Sequence, residues 1–271
     1  MAEKKTIAAA KNSADKKDRK KLRGALLAVL GLVLLAAAVI FGVIWLNGAL
    51  FDRNPRFALR EVTVTGSGYW KMHPEELASR VGLEKGSNLF SFKLKDIRQK
   101  ILTVPNVESC TVIRKLPDML VIRVTERVPR AFVNSSRSPW VLDSQAVVMP
   151  RNQVMGKLGR MPVISGVDTR GIAPGKEFRE LQAALDLVMT AVRSFPEITI
   201  YDISVRNPEK LAVILQYRRF PISRVLIPVK NKGLSLMLLT LQSAIINTRN
   251  SEESRNKNTY DLSFEGKVVI R

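Results

Sequence analysis

The sequence of 271 residues is poor in the side chains on which metalloproteins and disulfide-stabilised proteins depend. It contains one cysteine, Cys110, and one histidine, His73. A single thiol cannot close an intrachain disulfide, and zinc sites built from cysteine and histidine need several such ligands. We therefore predict no metal site. Cys110 is interpreted as a small buried side chain of a strand, and His73 as a helix-start or surface residue.

The motifs of nucleotide-binding proteins and hydrolases are also missing from the sequence. The turn Gly66-Ser67-Gly68 follows a strand pattern but has neither the third glycine nor the Lys-Ser/Thr pair of a phosphate-binding loop. The acidic residues form no convincing catalytic pair, and no nucleophile motif surrounds Ser135 and Ser136. We predict a protein that is not an enzyme, with no catalytic residue, no cofactor and no small-molecule substrate.

Negative charge is scarce, with 24 acidic residues against 44 basic ones and a formal net charge of +20. Nine of the basic residues and three acids lie in residues 1–23. A basic head of this kind is typical of nucleic-acid binding or of contact with an anionic membrane surface. The segment that follows favours the membrane, so we predict no nucleic-acid partner.

Residues 24–46 form an uninterrupted apolar run of 23 residues without a charge. At about 1.5 Å per residue a helix of this length spans about 35 Å, enough for a hydrocarbon layer of about 30 Å. The run is too long for the apolar core of a cleaved signal peptide, which has about 7–15 residues. With the positive-inside rule, we predict a single-pass type II protein whose tail, residues 1–23, is cytoplasmic and whose body lies outside.

After a linker at residues 47–56, the pattern predicts a β-α-α-β-β module over residues 57–127. A half-buried strand alternates up to Gly66, and a helix begins near Pro74, with acidic residues in its first turn. A second amphipathic helix ends before Pro105, and two strands follow, joined by a turn at 116–118. Two helices on one face of a small sheet can bury a single core.

Residues 128–271 predict a mostly antiparallel α+β domain. Helical stripes cover residues 178–192 and 234–246, and a polar stretch at 247–258 is predicted to be a loop. The last residues, 260–271, predict a closing strand in which apolar side chains alternate around Gly266. A strand that ends the chain can leave one edge of its sheet open to another chain.

Several stretches resemble the FtsQ/DivIB family of bacterial division proteins. They are EVTVTGSGYW, VPNVESCTVIRKLPDMLVIRVTERVPRAFV and the closing TYDLSFEGKVVIR. A basic tail, one membrane anchor and a POTRA-type β-α-α-β-β module are the architecture of that family. The resemblance thus implies an α+β fold with one transmembrane helix, a POTRA-type domain at 57–127 and an FtsQ-type β domain at 128–271.

The resemblance also implies a function. It predicts a non-enzymatic scaffold of the divisome in the bacterial inner membrane at the septum, with its body in the periplasm or an equivalent outer compartment. The scaffold would bind FtsB and FtsL by strand addition and link them to septal peptidoglycan synthesis. The family's closing motif, laid on this sequence, places partner contacts at Phe264 and Gly266, with Val268 and Arg271 farther along the same strand.

Alternative functions stay open at this stage. POTRA units also serve in envelope transport and assembly factors, although an outer-membrane barrel would need many further strands for which we expect no room in this chain. A membrane-anchored cell-wall hydrolase would need a nucleophile or paired acids. The juxtamembrane residues Arg53, Arg56 and Arg60 fit either lipid phosphates or a solvated linker.

Overall fold

A computed structural model of the chain describes residues 30–52, 54–155, 158–230, 233–251, 257–264 and 267–271. The chain forms two compact units. The first unit consists of the residues up to Arg60 together with Lys85–Phe92 and Leu116–Asp118, and the second contains the rest. The predicted cytoplasmic tail and residues 24–29 of the predicted membrane span lie outside the described residues.

The first unit begins with the apolar helix α1, Leu30–Asn47. Its mean hydropathy is 2.4, and no part of it is buried within the protein. A helix that is apolar all round and yet exposed matches a lipid-facing surface better than the core of a soluble domain. Among the described residues it is the one helix long and apolar enough to cross a membrane. A π-helical turn at Gly48–Asp52 and a 3-10 turn at Pro55–Phe57 follow it.

The second unit starts with a three-stranded module in which two helices follow the first strand, as the pattern predicts. Its elements are β1 (Glu61–Thr65), α2 (Tyr69–Met72), α3 (Pro74–Val81), α4 (Leu94–Leu102), β2 (Val107–Lys115) and β3 (Met119–Glu126). The strand order is β1-β3-β2, with β1 parallel and β2 antiparallel to β3. The single turn α2 is an addition to the predicted order.

Local signals explain where the helices of this module begin and end. Pro74 occupies the first turn of α3 with Glu75 and Glu76 beside it, which suits both the fixed φ of proline and the helix dipole. Gly82 ends α3 in the left-handed conformation, with a φ of 76°. The alternating side chains of β3 that face the helices are buried, namely Leu120, Ile122 and Val124.

The remaining residues form a nine-stranded sheet with the order β12-β11-β10-β9-β8-β7-β4-β5-β6. The strands are β4 (Ala131–Val133), β5 (Trp140–Leu142), β6 (Val148–Pro150), β7 (Val163–Ser165), β8 (Ile198–Ser204), β9 (Lys210–Tyr217), β10 (Phe220–Pro228), β11 (Thr259–Phe264) and β12 (Lys267–Ile270). Most neighbouring strands are antiparallel, which confirms the predicted fold class. Helices α5 (Gln182–Ser194) and α6 (Leu234–Asn250) pack with these strands in one apolar core.

Two helix boundaries differ from the sequence pattern. The stripe that starts at Phe178 becomes α-helical only at Gln182, after a 3-10 turn. Helix α6 runs to Asn250, so the start of the predicted loop is helical. Thr248 lies in this added stretch, where it is buried and its hydroxyl donates to the carbonyl of Ala244 at 2.7 Å, so this polar side chain finds its partner within the helix.

A buried ion pair lies just after β3. The guanidinium of Arg127 approaches the carboxylate of Asp143 to 2.7 Å, with side-chain exposures of 17% and 5%. The same carboxylate accepts the backbone N–H groups of Gln145 and Val147. The Asp143 carboxylate is therefore removed from water, and the guanidinium of Arg127 is the cation beside it.

We expect Arg127→Ala to lower the free energy of unfolding by about 3 kcal/mol, because it leaves a buried carboxylate without its cation. Thermal and denaturant unfolding of the full chain in detergent measure the loss. The matched control is Arg170→Ala, which removes an equally short but exposed pair with Asp168 and should leave the melting curve unchanged. Equal melting curves for the two variants would contradict the structural role of Arg127.

Candidate partner-binding edge of the nine-stranded sheet

The residues predicted to bind a partner lie in a hairpin at the end of the chain. Strands β11 and β12 are antiparallel, and Phe264 pairs with Lys267. The sequence pattern predicted one closing strand, and this is wrong, because the chain reverses between the two halves of that pattern. Two short alternating strands around a turn have the same period as one long strand. The predicted contact Gly266 lies outside the described residues.

Strand β12 is an edge of the nine-stranded sheet, and among the described residues no strand pairs with its outer side. The opposite end of the sheet differs. There the N–H of Val148 in β6 donates to the carbonyl of Lys176 at 3.0 Å, and the N–H of Gly175 donates to the carbonyl of Val148 at 2.8 Å. Main chain thus covers the β6 edge, whereas the β12 edge presents backbone groups to another strand.

Hydrogen bonds at the end of the hairpin determine which backbone groups of β12 face outward. Thr259 and Arg271 exchange two bonds, of 3.1 Å and 3.0 Å, so the N–H and C=O of Arg271 point toward β11. In an antiparallel pair these groups alternate in direction from residue to residue. The N–H of Val269, which pairs with Asp261, therefore also points inward, and the N–H groups of Val268 and Ile270 point outward.

The side chains of the predicted residues differ in exposure. Phe264, at the end of β11, is 50% exposed, so half of its surface is available for a contact. Val268 is half-buried and packs against the core together with Ile270, while Arg271 is exposed. The predicted partner contacts did not include Ile270. Ile270 lies two residues after Val268, so its N–H group points in the same direction.

Asp261 places a negatively charged carboxylate on this hairpin. Partial burial raises the pKa of its carboxyl, but hydrogen bonds from Ser263 and the positive charges of Lys210 and Arg271 outweigh that effect. The pKa of Asp261 therefore lies below its ordinary value, and the carboxylate stays ionised at neutral pH. The N–H of Ser263 donates to this carboxylate at 2.9 Å, which helps to order β11 before the turn.

The described residues offer no arrangement typical of a catalytic or metal site. They contain no group of three or more His, Cys, Asp or Glu side chains that could hold a metal ion. Burial raises the pKa of the Cys110 thiol despite the nearby charge of Arg98, so this buried thiol is a poor nucleophile. His73 stands at the start of α3 and stacks on Tyr69, as its predicted helix-start role requires.

Comparison with known proteins agrees with this architecture. The family model described as "POTRA domain, FtsQ-type" matches residues 57–127. Among similar proteins, the cell division protein FtsQ of Koribacter versatilis is 27% identical over 195 residues, which cover 69% of this chain and 55% of that protein. The cell division protein FtsQ of Syntrophotalea carbinolica is 30% identical over 159 residues, 59% of this chain and 54% of that protein.

The chain is also similar to proteins named DivIB. The cell division protein DivIB of Clostridium tetani is 22% identical over 227 residues, which cover 80% of each chain. The chain thus carries an FtsQ-type POTRA domain and is similar to the FtsQ and DivIB cell division proteins. It spans about half the length of the FtsQ relatives from Koribacter and Syntrophotalea.

Within this chain, the module of β1 to β3 is the part that the POTRA description covers. The hairpin β11–β12 lies far beyond residue 127, in the nine-stranded sheet. The contact positions on that hairpin therefore rest on geometry and on the resemblance of the closing motif.

Proposed function

We propose that this chain is a non-enzymatic, membrane-anchored scaffold of the bacterial division machinery. It binds FtsB and FtsL, takes up a strand of its partner on the outer side of β12, and so links these proteins to septal peptidoglycan synthesis. The observation that carries the proposal is the contrast between the two ends of the nine-stranded sheet. The β6 edge is covered by main chain, whereas no described strand covers β12.

The backbone of β12 suits strand addition. The outward N–H groups of Val268 and Ile270 offer a partner strand two donors with the spacing of a regular ladder. Main-chain pairing supplies affinity and side-chain contacts supply selectivity. The half-exposed ring of Phe264, at the end of β11 beside the turn, gives an apolar contact at one end of the hairpin, and the exposed Arg271 gives a charged one at the other end.

The proposed location follows from the amino-terminal charge. The basic residues before the apolar run favour a cytoplasmic tail, so the second unit lies in the periplasm or an equivalent outer compartment. The apolar helix α1 supports a place in the inner membrane, and the names of the relatives, which are cell division proteins, support a place at the division septum.

The competing class is a POTRA-containing factor for envelope transport or assembly. The match to a POTRA domain favours it as much as it favours a divisome scaffold, but the relatives named for cell division favour the scaffold. The two classes differ in their partners and in the phenotype of depletion, so one set of experiments separates them.

The test is capture of the extramembrane segments of FtsB and FtsL from the same organism by the full chain in detergent, combined with depletion in cells. We expect stable capture and filaments without septa. Normal septation after depletion, with a defect in export or in outer-membrane assembly, would favour the competing class. Normal septation without capture would overturn the proposal as a whole.

A further inference from the structure

Three aromatic rings gather directly after α1, in the first unit. We call Phe51, Phe57 and Phe90 the aromatic cluster. The ring of Phe51 stacks on that of Phe57, with centroids 6.0 Å apart, and meets the edge of Phe90 at 5.3 Å. Phe57 and Phe90 are 5.0 Å apart at right angles. Phe51 is 39% exposed, and the other two rings are half-buried.

The cluster is tied to the end of α1 by hydrogen bonds as well as by ring contacts. The side-chain amide of Asn88 donates to the carbonyl of Phe51 at 2.8 Å, and that of Asn54 donates to the carbonyl of Leu50 at 3.3 Å. The N–H of Leu89 donates to the carbonyl of Phe57 at 2.7 Å. Asn88 and Leu89 are therefore joined by hydrogen bonds to the turns that follow α1.

Distance along the chain places the cluster at the membrane surface. Phe51 comes five residues after Leu46, the last residue of the apolar run. Five residues at about 1.5 Å each span about 8 Å, and each headgroup layer of a bilayer is about 5–8 Å thick. Aromatic rings favour this layer, and Trp45 at the end of α1 is already exposed there.

Positive charge accompanies the cluster. Arg56 is exposed, and the side chain of Arg60 is 76% exposed. The carboxylate of Asp118, whose side chain is 28% exposed, lies 3.5 Å from the guanidinium of Arg60, and solvent around so exposed an arginine weakens the pair. Both guanidinium groups are therefore accessible to phosphate oxygens, which arginine binds in a bidentate manner.

We propose that the first unit docks on the outer leaflet of the membrane, with the aromatic cluster among the phospholipid headgroups and with Arg56 and Arg60 on their phosphates. The docking holds the first unit against the bilayer, in place of a freely pivoting linker. It requires that α1 spans the membrane, but it does not depend on FtsB, FtsL or strand addition.

The test uses the full chain in nanodiscs of phosphatidylcholine with a minority of phosphatidylglycerol. A bimane label is placed at Ser91→Cys, an exposed residue beside Phe90, in a Cys110→Ala background. Some of the lipids carry a nitroxide on the headgroup, which quenches bimane only at close range. We expect strong quenching. A chain that stays in the nanodisc with an unquenched label overturns the docking alone, and a chain that leaves the nanodisc also overturns the anchor.

Substitutions test whether the charges of the two arginines cause the docking or whether the label is merely close to the headgroups. Each cation near an anionic leaflet changes the ratio of docked to undocked protein by roughly fivefold. We expect the pair Arg56→Gln and Arg60→Gln to reduce quenching, while Arg56→Lys and Arg60→Lys retain most of it. The matched control pair, Arg137→Gln and Arg170→Gln, changes exposed cations of the second unit and should have no effect. Equal quenching in all three pairs would show that these arginines do not bind headgroups.

Discussion

Val268→Pro is expected to abolish capture of FtsB while the protein remains folded. The N–H of Val268 points away from β11, so proline removes no hydrogen bond within the hairpin. It does remove a donor that a partner strand would use, and its ring obstructs the approach of that strand. We expect a loss of about 2 kcal/mol or more, which is roughly a thirtyfold rise in Kd. Isothermal titration with the FtsB segment measures it.

Three variants make the test specific. Val268→Ala keeps the N–H and should bind nearly as well as the wild type, whereas Ile270→Pro should repeat the loss because its N–H also faces outward. Val269→Pro changes an N–H group that points in the opposite direction, since the N–H of Val269 faces Asp261 in β11. We expect Val269→Pro to lower the melting temperature, because it breaks the hairpin itself.

The side-chain contribution is tested by Phe264→Ala. If the ring fills a pocket of the partner, its loss should cost about 2 kcal/mol of binding free energy. The control is Phe220→Ala, at a residue of similar exposure on β10 whose ring lies under Arg249. Folded Val268→Pro, Ile270→Pro and Phe264→Ala variants that all bind FtsB like the wild type would refute strand addition at β12.

Ile122→Asp is expected to unfold the three-stranded module. Ile122 is fully buried in β3, between β1 and β2, and pairs with Val64 and Val112. An unpaired carboxylate there costs about 3 kcal/mol or more, against a total stability of roughly 5–15 kcal/mol for a domain. Thermal unfolding followed by circular dichroism and by hydrogen exchange of β1 to β3 measures the effect.

The matched control is Ile113→Asp on the neighbouring strand. Ile113 is 38% exposed, and it points to the opposite face from Val112 and Ile122 because side chains alternate along a strand. We expect its melting curve to stay close to that of the wild type. Ile122→Asp with unchanged exchange protection would show that this face of β3 does not form a core.

The fold of the three-stranded module could be predicted from its sequence because each signal there is local. Pro74 and Gly82 bound α3, and the alternation in β3 separates buried from exposed side chains within a few residues. The same kind of signal failed at residues 260–271. Alternation gives the face of a side chain but not the point at which a chain reverses, so two paired strands looked like one.

The partner-binding edge could be located only in part. The sequence indicated which strand ends the chain, but the direction of each N–H depends on the bonds between Thr259 and Arg271. The cover on β6 comes from residues 175–177, which have no periodic pattern of their own. Whether a sheet edge is covered depends on residues that are far apart in the sequence, so no short stretch of sequence predicts it.

The covered β6 edge also limits the valency of the nine-stranded sheet. A sheet with two open edges can add strands at both ends and grow into chains of molecules, whereas this sheet, over its described strands, accepts one strand at β12. Among the described strands, two copies could pair by strand addition at β12 against β12, and that pairing would occupy the edge that we propose for FtsB. Self-association and partner capture would therefore compete by mass action, and each copy would recruit one partner strand.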